Sequence, residues 1–341
     1  MDVLLSAPIL FFGLGAVIAL LGARTPFPDG VAKGLAAYLL VAIGLKGGVA
    51  LTTVHAASVL PLLLTAALAS LLMPVLAFLI LRRAAGLDAV NAASIAAHYG
   101  SVSLVTFVTA TKLLESQGIT FGGHMVAALA IMEAPAIITG LLLAGATGAM
   151  ATVGVGAGAG GGGGTVSVLL GGGAGGKGVS FGAAVREALL NNSVLLLVGA
   201  LVIGFIIGKP GYTALGGLFV APWDGVLSLF LLEMGCLAAS RLREAMALNA
   251  RLIAFGIGMP LLGAAIGGAL AWGLGLGVGD AALFVTLCAS ASYIAVPAAM
   301  SHALPTANPG LSLPLSLGIT FPFNILVGIP LYLGLTRALL G

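Results

Sequence analysis

The chain has 341 residues, 60% hydrophobic and 7% charged, with a formal net charge of +3 and a mean hydropathy of +1.22. Soluble domains carry roughly 25% charged residues, so this composition excludes an ordinary soluble fold and predicts an all-α, polytopic membrane protein. No basic run suggests nucleic acid, and nothing of size is left for a separate soluble domain.

About twenty apolar residues cross a bilayer, and on that rule ten segments follow one another. The first covers about 4–22 and ends at the loop signal Arg24-Thr25-Pro26-Phe27-Pro28-Asp29-Gly30. The second, about 31–52, contains Gly44-Leu45-Lys46-Gly47-Gly48, and the third, about 58–81, is closed by Arg82-Arg83. The fourth, about 88–114, carries His98-Tyr99-Gly100-Ser101-Val102-Ser103, and the fifth, about 122–147, carries Glu133-Ala134-Pro135. Residues 148–180 are glycine-rich and read as a flexible linker, which divides a first repeat, 1–147, from a second, 181–341.

Residues 181–190 suit a short interfacial helix. The sixth segment, about 193–208, ends at Lys209-Pro210-Gly211, and the seventh, about 224–240, at Arg241-Leu242-Arg243-Glu244. The eighth covers about 251–275. The ninth, about 280–303, carries Ala289-Ser290-Ala291-Ser292-Tyr293. The tenth, about 312–336, contains Pro314, Pro322 and Pro330 and is expected to be kinked or broken.

The halves echo each other. Asp88-Ala89 and Asp280-Ala281 precede the two polar interruptions, and Lys46-Gly47-Gly48 corresponds to Glu233-Met234-Gly235. Five segments per half is an odd number, so the halves form an inverted repeat, with segments four and nine as broken helices. Lys and Arg concentrate in the loops after segments one, three, five and seven, which places those loops and the linker in the cytoplasm and both termini outside.

Gly, Ser and His in a row do not suit a lipid-facing helix, since polar groups in hydrocarbon are costly unless satisfied. A break frees N–H groups that can hold an anion, and carbonyls and hydroxyls that can hold a cation. The candidate substrate residues are therefore Gly100, Ser101, Val102, Ser103, Ser290, Ala291 and Ser292. Candidate sodium ligands are Ser101, Ser103, Thr106, Glu133 and Tyr293. The alternative is that these small residues only pack helices closely. Glu133 is an intramembrane carboxylate, suited to hold a cation or a proton, or to pair with Lys46 or His98.

Lys46 and Glu233, opposite in sign at equivalent positions, are expected to form a buried structural ion pair. His98 alone reads as a hydrogen-bonded structural group. His55, His124 and His302 lack metal-ligand spacing, and Cys236 and Cys288 read as buried thiols, so no transition-metal site is expected. No nucleophile elbow, phosphate loop or HExxH motif is present, and an enzyme is not expected. The reading is a secondary transporter importing a small anion with sodium; the alternative is a proton-coupled carrier of another small solute, with Glu133 as the proton site.

Several pieces of the chain, in order, resemble the sodium-dependent bicarbonate transporter family. They are Gly44-Leu45-Lys46-Gly47-Gly48, Gly100-Ser101-Val102-Ser103, Leu114-Glu115-Ser116 and Met132-Glu133-Ala134-Pro135 in the first half. In the second half they are Glu233-Met234-Gly235, Ala289-Ser290-Ala291-Ser292, Pro305-Thr306-Ala307-Asn308-Pro309 and Gly328-Ile329-Pro330-Leu331. The resemblance implies ten transmembrane helices in two inverted five-helix halves, a gate part and a core part, and elevator-type transport. It also implies bicarbonate held between the broken helices with sodium as the coupling ion, a homotrimer in the bacterial inner membrane, and a PII-like regulatory protein docking on the cytoplasmic side. Two positions depart from the family's pattern: Tyr293 stands where an acidic residue is usual, and Glu133 where an aspartate is typical.

Overall fold

The computed structural model describes residues 6–23, 27–28, 30–53, 56–146 and 181–340. The expected linker, 148–180, lies outside them. Every regular element among the described residues is helical: α1 (Ala7–Leu20), α2 (Val31–Leu51), α3 (Ala56–Arg83), α4 (Ala89–Gly100), α5 (Leu104–Ser116), α6 (His124–Ala146) and α7 (Phe181–Leu189) in the first stretch. They continue as α8 (Asn192–Ala214), α9 (Gly216–Phe219), α10 (Trp223–Ala245), α11 (Ala250–Gly273), α12 (Val278–Cys288) and α13 (Ala295–Ala303). The last, α14 (Pro309–Leu340), is one long span. Among the described residues eight spans are long and apolar enough to cross a membrane, one of them counted through α4 and α5 and one through α9 and α10; α1 and α12 are apolar but shorter. The molecule is a multi-pass membrane protein.

Polar side chains start many of these helices by capping N–H groups that have no intrahelical partner. Asp88 accepts from Asn91 N–H at α4, Ser103 from Thr106 at α5, Asn249 from Leu252 at α11 and Asn308 from Gly310 at α14. The sixth expected segment ends where α8 kinks, at Gly208, whose φ of 59° lies in the left-handed region. The tenth is not broken: two wide π-helical stretches, Pro314–Thr320 and Asn324–Gly328, interrupt the regular α-helix around its prolines and carry the helix on.

Two long helix pairs form a frame: α1 lies along α10, and α2 along α8, with α10 also against α2. Both pairs depend on glycine. A Cβ on Gly15 would lie 1.9 Å from the Leu232 carbonyl oxygen, and one on Gly235 would lie 2.0 Å from that of Phe12. In the other pair, a Cβ on Gly204 would meet the Leu45 carbonyl oxygen at 2.3 Å, and one on Gly48 that of Leu201 at 2.0 Å. Bare backbone on both sides allows this approach, the usual device for packing helices where surrounding lipid offers no hydrophobic drive. Leu10, Leu14 and Val17 of α1 and Val202, Phe205 and Ile206 of α8 remain exposed, a surface suited to acyl chains.

The other helices, apart from the short α9 that packs on α8, form a second body. In it α3, α4 and α6 pack on one another, and so do α11, α12 and α14. The two triples are pinned at matching points. Asn91, in the first turn of α4, accepts from Asn308 N–H at 2.7 Å with its side-chain oxygen. Asp280, in the first turn of α12, accepts from Gly122 N–H at 2.6 Å and lies 3.1 Å from His124 Nε2.

Candidate functional site

The triples meet where their helices are interrupted. α4 ends at Gly100 and α5 begins at Leu104; α12 ends at Cys288 and α13 begins at Ala295. The two interruptions bond directly to each other. Ser292 N–H donates to the His98 carbonyl at 2.8 Å. His98 Nδ1 returns a hydrogen bond to the Ser292 carbonyl at 2.6 Å. Ser103 N–H donates to Ser290 Oγ at 3.0 Å, and Ser290 Oγ donates to the Leu287 carbonyl. Backbone groups released by each break are thus partly satisfied by the other, as burial requires.

Beside this crossing is a cavity of about 10 Å³, lined by Val102, Ser103, Glu133, Ser292 and Tyr293 from the inner body and by Leu40 and Ser193 from the frame. The space suits one water or one ion rather than a polyatomic anion. Glu133 is 4% exposed, and its Oε2 has no hydrogen-bond partner. The Tyr293 hydroxyl and Ser101 Oγ are likewise buried without partners. An ionised carboxylate left alone in such a place costs several kcal/mol, so Glu133 needs a proton or a cation. Neither of its expected protein partners reaches it: His98 is bonded to Ser292, and Lys46 is held by Glu115.

Of the candidates, Val102, Ser103, Ser292, Glu133 and Tyr293 therefore share one space. Ser290 stands behind them as a brace. Thr106 gives its N–H to Ser103 Oγ at 3.2 Å, in the first turn of α5. Gly100 keeps a helical backbone, and a Cβ there would lie 2.2 Å from Pro74 Cγ, so its smallness admits α3. Ala291 packs in an apolar cluster with Tyr99, Phe255 and Leu315.

The expected pair of Lys46 and Glu233 is replaced by another arrangement. Lys46 Nζ lies 3.4 Å from Glu115 Oε1, Lys112 Nζ lies 3.3 Å from Glu115 Oε2, and Lys112 Nζ lies 2.6 Å from Asp224 Oδ1. Lys46 is half-exposed, and Glu233 keeps a buried Oε2 without a partner. Matching positions along two helices do not by themselves bring the two side chains to one another. The resulting chain of alternating charges joins the frame, through Lys46 and Asp224, to α5 of the inner body.

Sequence reasoning missed Asn324. It is 1% exposed, its amide donates to the Ala289 carbonyl at 2.9 Å where α12 ends, and its oxygen accepts from the Tyr332 hydroxyl at 2.8 Å. The signal that marks it is an amide in the middle of a proline-rich apolar segment. Ser193 and Leu40, also missed, bring the frame to the cavity.

Cys236 and Cys288 are free and buried. Among the described residues no group of three or more His, Cys, Asp or Glu could hold a metal ion. No curated protein matches the chain. The family model of the Na+-dependent bicarbonate transporter superfamily matches residues 7–337. That span takes in both breaks, the frame pairs and Glu133, and the chain belongs to the Na+-dependent bicarbonate transporter superfamily.

Proposed function

We propose that this chain is a secondary transporter that imports bicarbonate or a similar small anion together with sodium. The observation that carries this reading is Glu133 Oε2, buried and unpartnered on an ion-sized cavity beside two crossed helix breaks. Sodium there meets a carboxylate and the oxygens of Ser103, Ser292 and Tyr293, the hard ligands that such a cation takes. The anion is bound next to it, at the N-terminus of α5, where the Leu104 and Val105 N–H groups have no intrahelical partner. The cation's full charge adds to the partial charge of the helix end, so the two solutes favour each other's binding.

Two inverted repeats, 1–147 and 181–341, joined through 148–180, fit the pairing of the frame. Exchanging the halves turns the α1–α10 pair into the α8–α2 pair, and Gly15 with Gly235 into Gly204 with Gly48. In this reading the frame is the gate part and the inner body the core that moves against it. The cation and anion travel at the boundary, where Leu40 and Ser193 meet the breaks. The loop charges favour a cytoplasmic linker and outer termini in a bacterial inner membrane.

Uptake of labelled bicarbonate into proteoliposomes, at fixed pH and membrane potential, tests the proposal. An inward sodium gradient drives uptake if it is right. Uptake indifferent to sodium but driven by a proton gradient assigns Glu133 to a proton and overturns the sodium reading.

A further inference from the structure

A second cavity, of about 160 Å³, lies between α4, α13 and the start of α14. No residue lines both cavities. His98 lines the larger one, while Ser292, to which it is bonded, lines the smaller, so this doubly bonded pair stands between the two spaces. The larger cavity opens beside Ser301 and Pro305, both exposed.

His98 is 1% exposed, and its Nε2 has no hydrogen-bond partner. The Ser292 carbonyl can only accept, so Nδ1 carries the ring hydrogen. Nε2 of the neutral imidazole is then an acceptor with an unused lone pair. A buried acceptor left unused is costly, and a native structure keeps one for a reason. The remaining polar lining is made of serine hydroxyls, with Ser94 and Ser312 buried; Met300, Leu304 and Leu313 supply an apolar wall. None of the lining residues is charged. An ion would lose its hydration here without a counter-charge, so the transported anion is not the natural occupant. For scale, an apolar cavity of about 150 Å³ holds benzene, a molecule of six heavy atoms.

We propose that this cavity is a second ligand site, separate from the Glu133 site, for a small uncharged molecule that donates an N–H or O–H to His98 Nε2 and lays an apolar edge on Met300, Leu304 and Leu313. Because the same ring clasps the second break, its occupant is coupled to the crossing, and the coupling runs in both directions. The assignment does not depend on which solute the transporter carries.

Pyrazole is a suitable probe, being small, neutral, water-soluble and an N–H donor; N-methylpyrazole keeps the ring and lacks the donor. Saturation-transfer NMR on the purified full chain in lipid nanodiscs measures both. The expected result is saturable pyrazole binding, with N-methylpyrazole weaker by about tenfold, the loss of one hydrogen bond to a buried acceptor. Ala307→Trp, which places a large ring in the cavity, removes the pyrazole signal. Equal affinity for the two probes, no saturable binding, or unchanged binding in a folded Ala307→Trp protein each overturns the proposal. If that variant does not fold, the comparison of probes on the wild-type protein still decides.

Discussion

His98 and Ser292 hold each other twice, backbone to backbone at 2.8 Å and ring to backbone at 2.6 Å, and so tie one interrupted helix to the other. The ring bond has a measurable role because the Ser292 carbonyl is buried. His98→Leu keeps bulk and loses the donor, and is expected to lower stability by about 1–3 kcal/mol. His98→Asn presents an amide N–H close to where Nδ1 was and should recover most of that loss. Thermal unfolding of the purified variants checks both; equal losses would show that ring volume, not the hydrogen bond, is what matters.

The glycines of the frame predict opposite outcomes in related substitutions. Gly48→Ala and Gly235→Ala each drive a methyl group to 2.0 Å from a carbonyl oxygen of the facing helix. The helices must part, at about 1–3 kcal/mol. Gly34→Ala, on the same helix as Gly48 but with nothing within 4 Å, should gain up to roughly 1 kcal/mol from helix propensity alone. Unfolding midpoints in one detergent give the comparison, and a destabilised Gly34→Ala would contradict the reading of its surroundings.

The charge chain across the frame boundary is expected to be weak. Lys46 and Glu115 side chains are 56% and 39% exposed, and exposed pairs contribute about 0–1 kcal/mol. A double-mutant cycle of Lys46→Met with Glu115→Gln should show coupling within that range, shrinking as salt is raised. The cycle of Lys46→Met with Glu233→Leu should show none. Strong coupling in the second cycle would restore the pair that the structure does not form.

Both interruptions are legible in the amino-acid sequence, because closely spaced serines inside an apolar run, joined by His98 and Gly100 in the first and by Tyr293 in the second, are a local property that needs no partner to be noticed. Glu133 is legible for the same reason. The partner of Lys46 is not: position along a helix gives depth, but which neighbour faces a side chain depends on packing between elements far apart in the chain. The role of Gly100 is hidden on similar grounds. Its sequence context is a break, yet the contact that demands glycine comes from Pro74 on α3. The prolines of the tenth segment signal its irregularity, but sequence alone does not distinguish a break from the π-helical stretches that keep the span continuous.

Glu133→Gln separates the two readings of the cavity. It keeps size and hydrogen-bonding capacity and removes the charge. If sodium sits there, the variant folds, loses most of its sodium-stimulated uptake, and needs a higher sodium concentration for the uptake that remains. Anion binding weakens in parallel, because coupling between two ligands is reciprocal. Uptake measured over a sodium series at fixed pH checks this; an unchanged sodium dependence would exclude Glu133 as a ligand.

The frame has a consequence for how the molecule is made. α1 finds its long neighbour in Trp223–Ala245, and α2 finds its own in Asn192–Ala214. Each tight seam therefore joins a helix from before residue 147 to one from after residue 181. A ribosome that has delivered only residues 1–147 leaves two glycine-notched helices bare to lipid, with their natural cover still unsynthesised. The α2 seam can close once α8 has entered the membrane, while the α1 seam has to wait for α10.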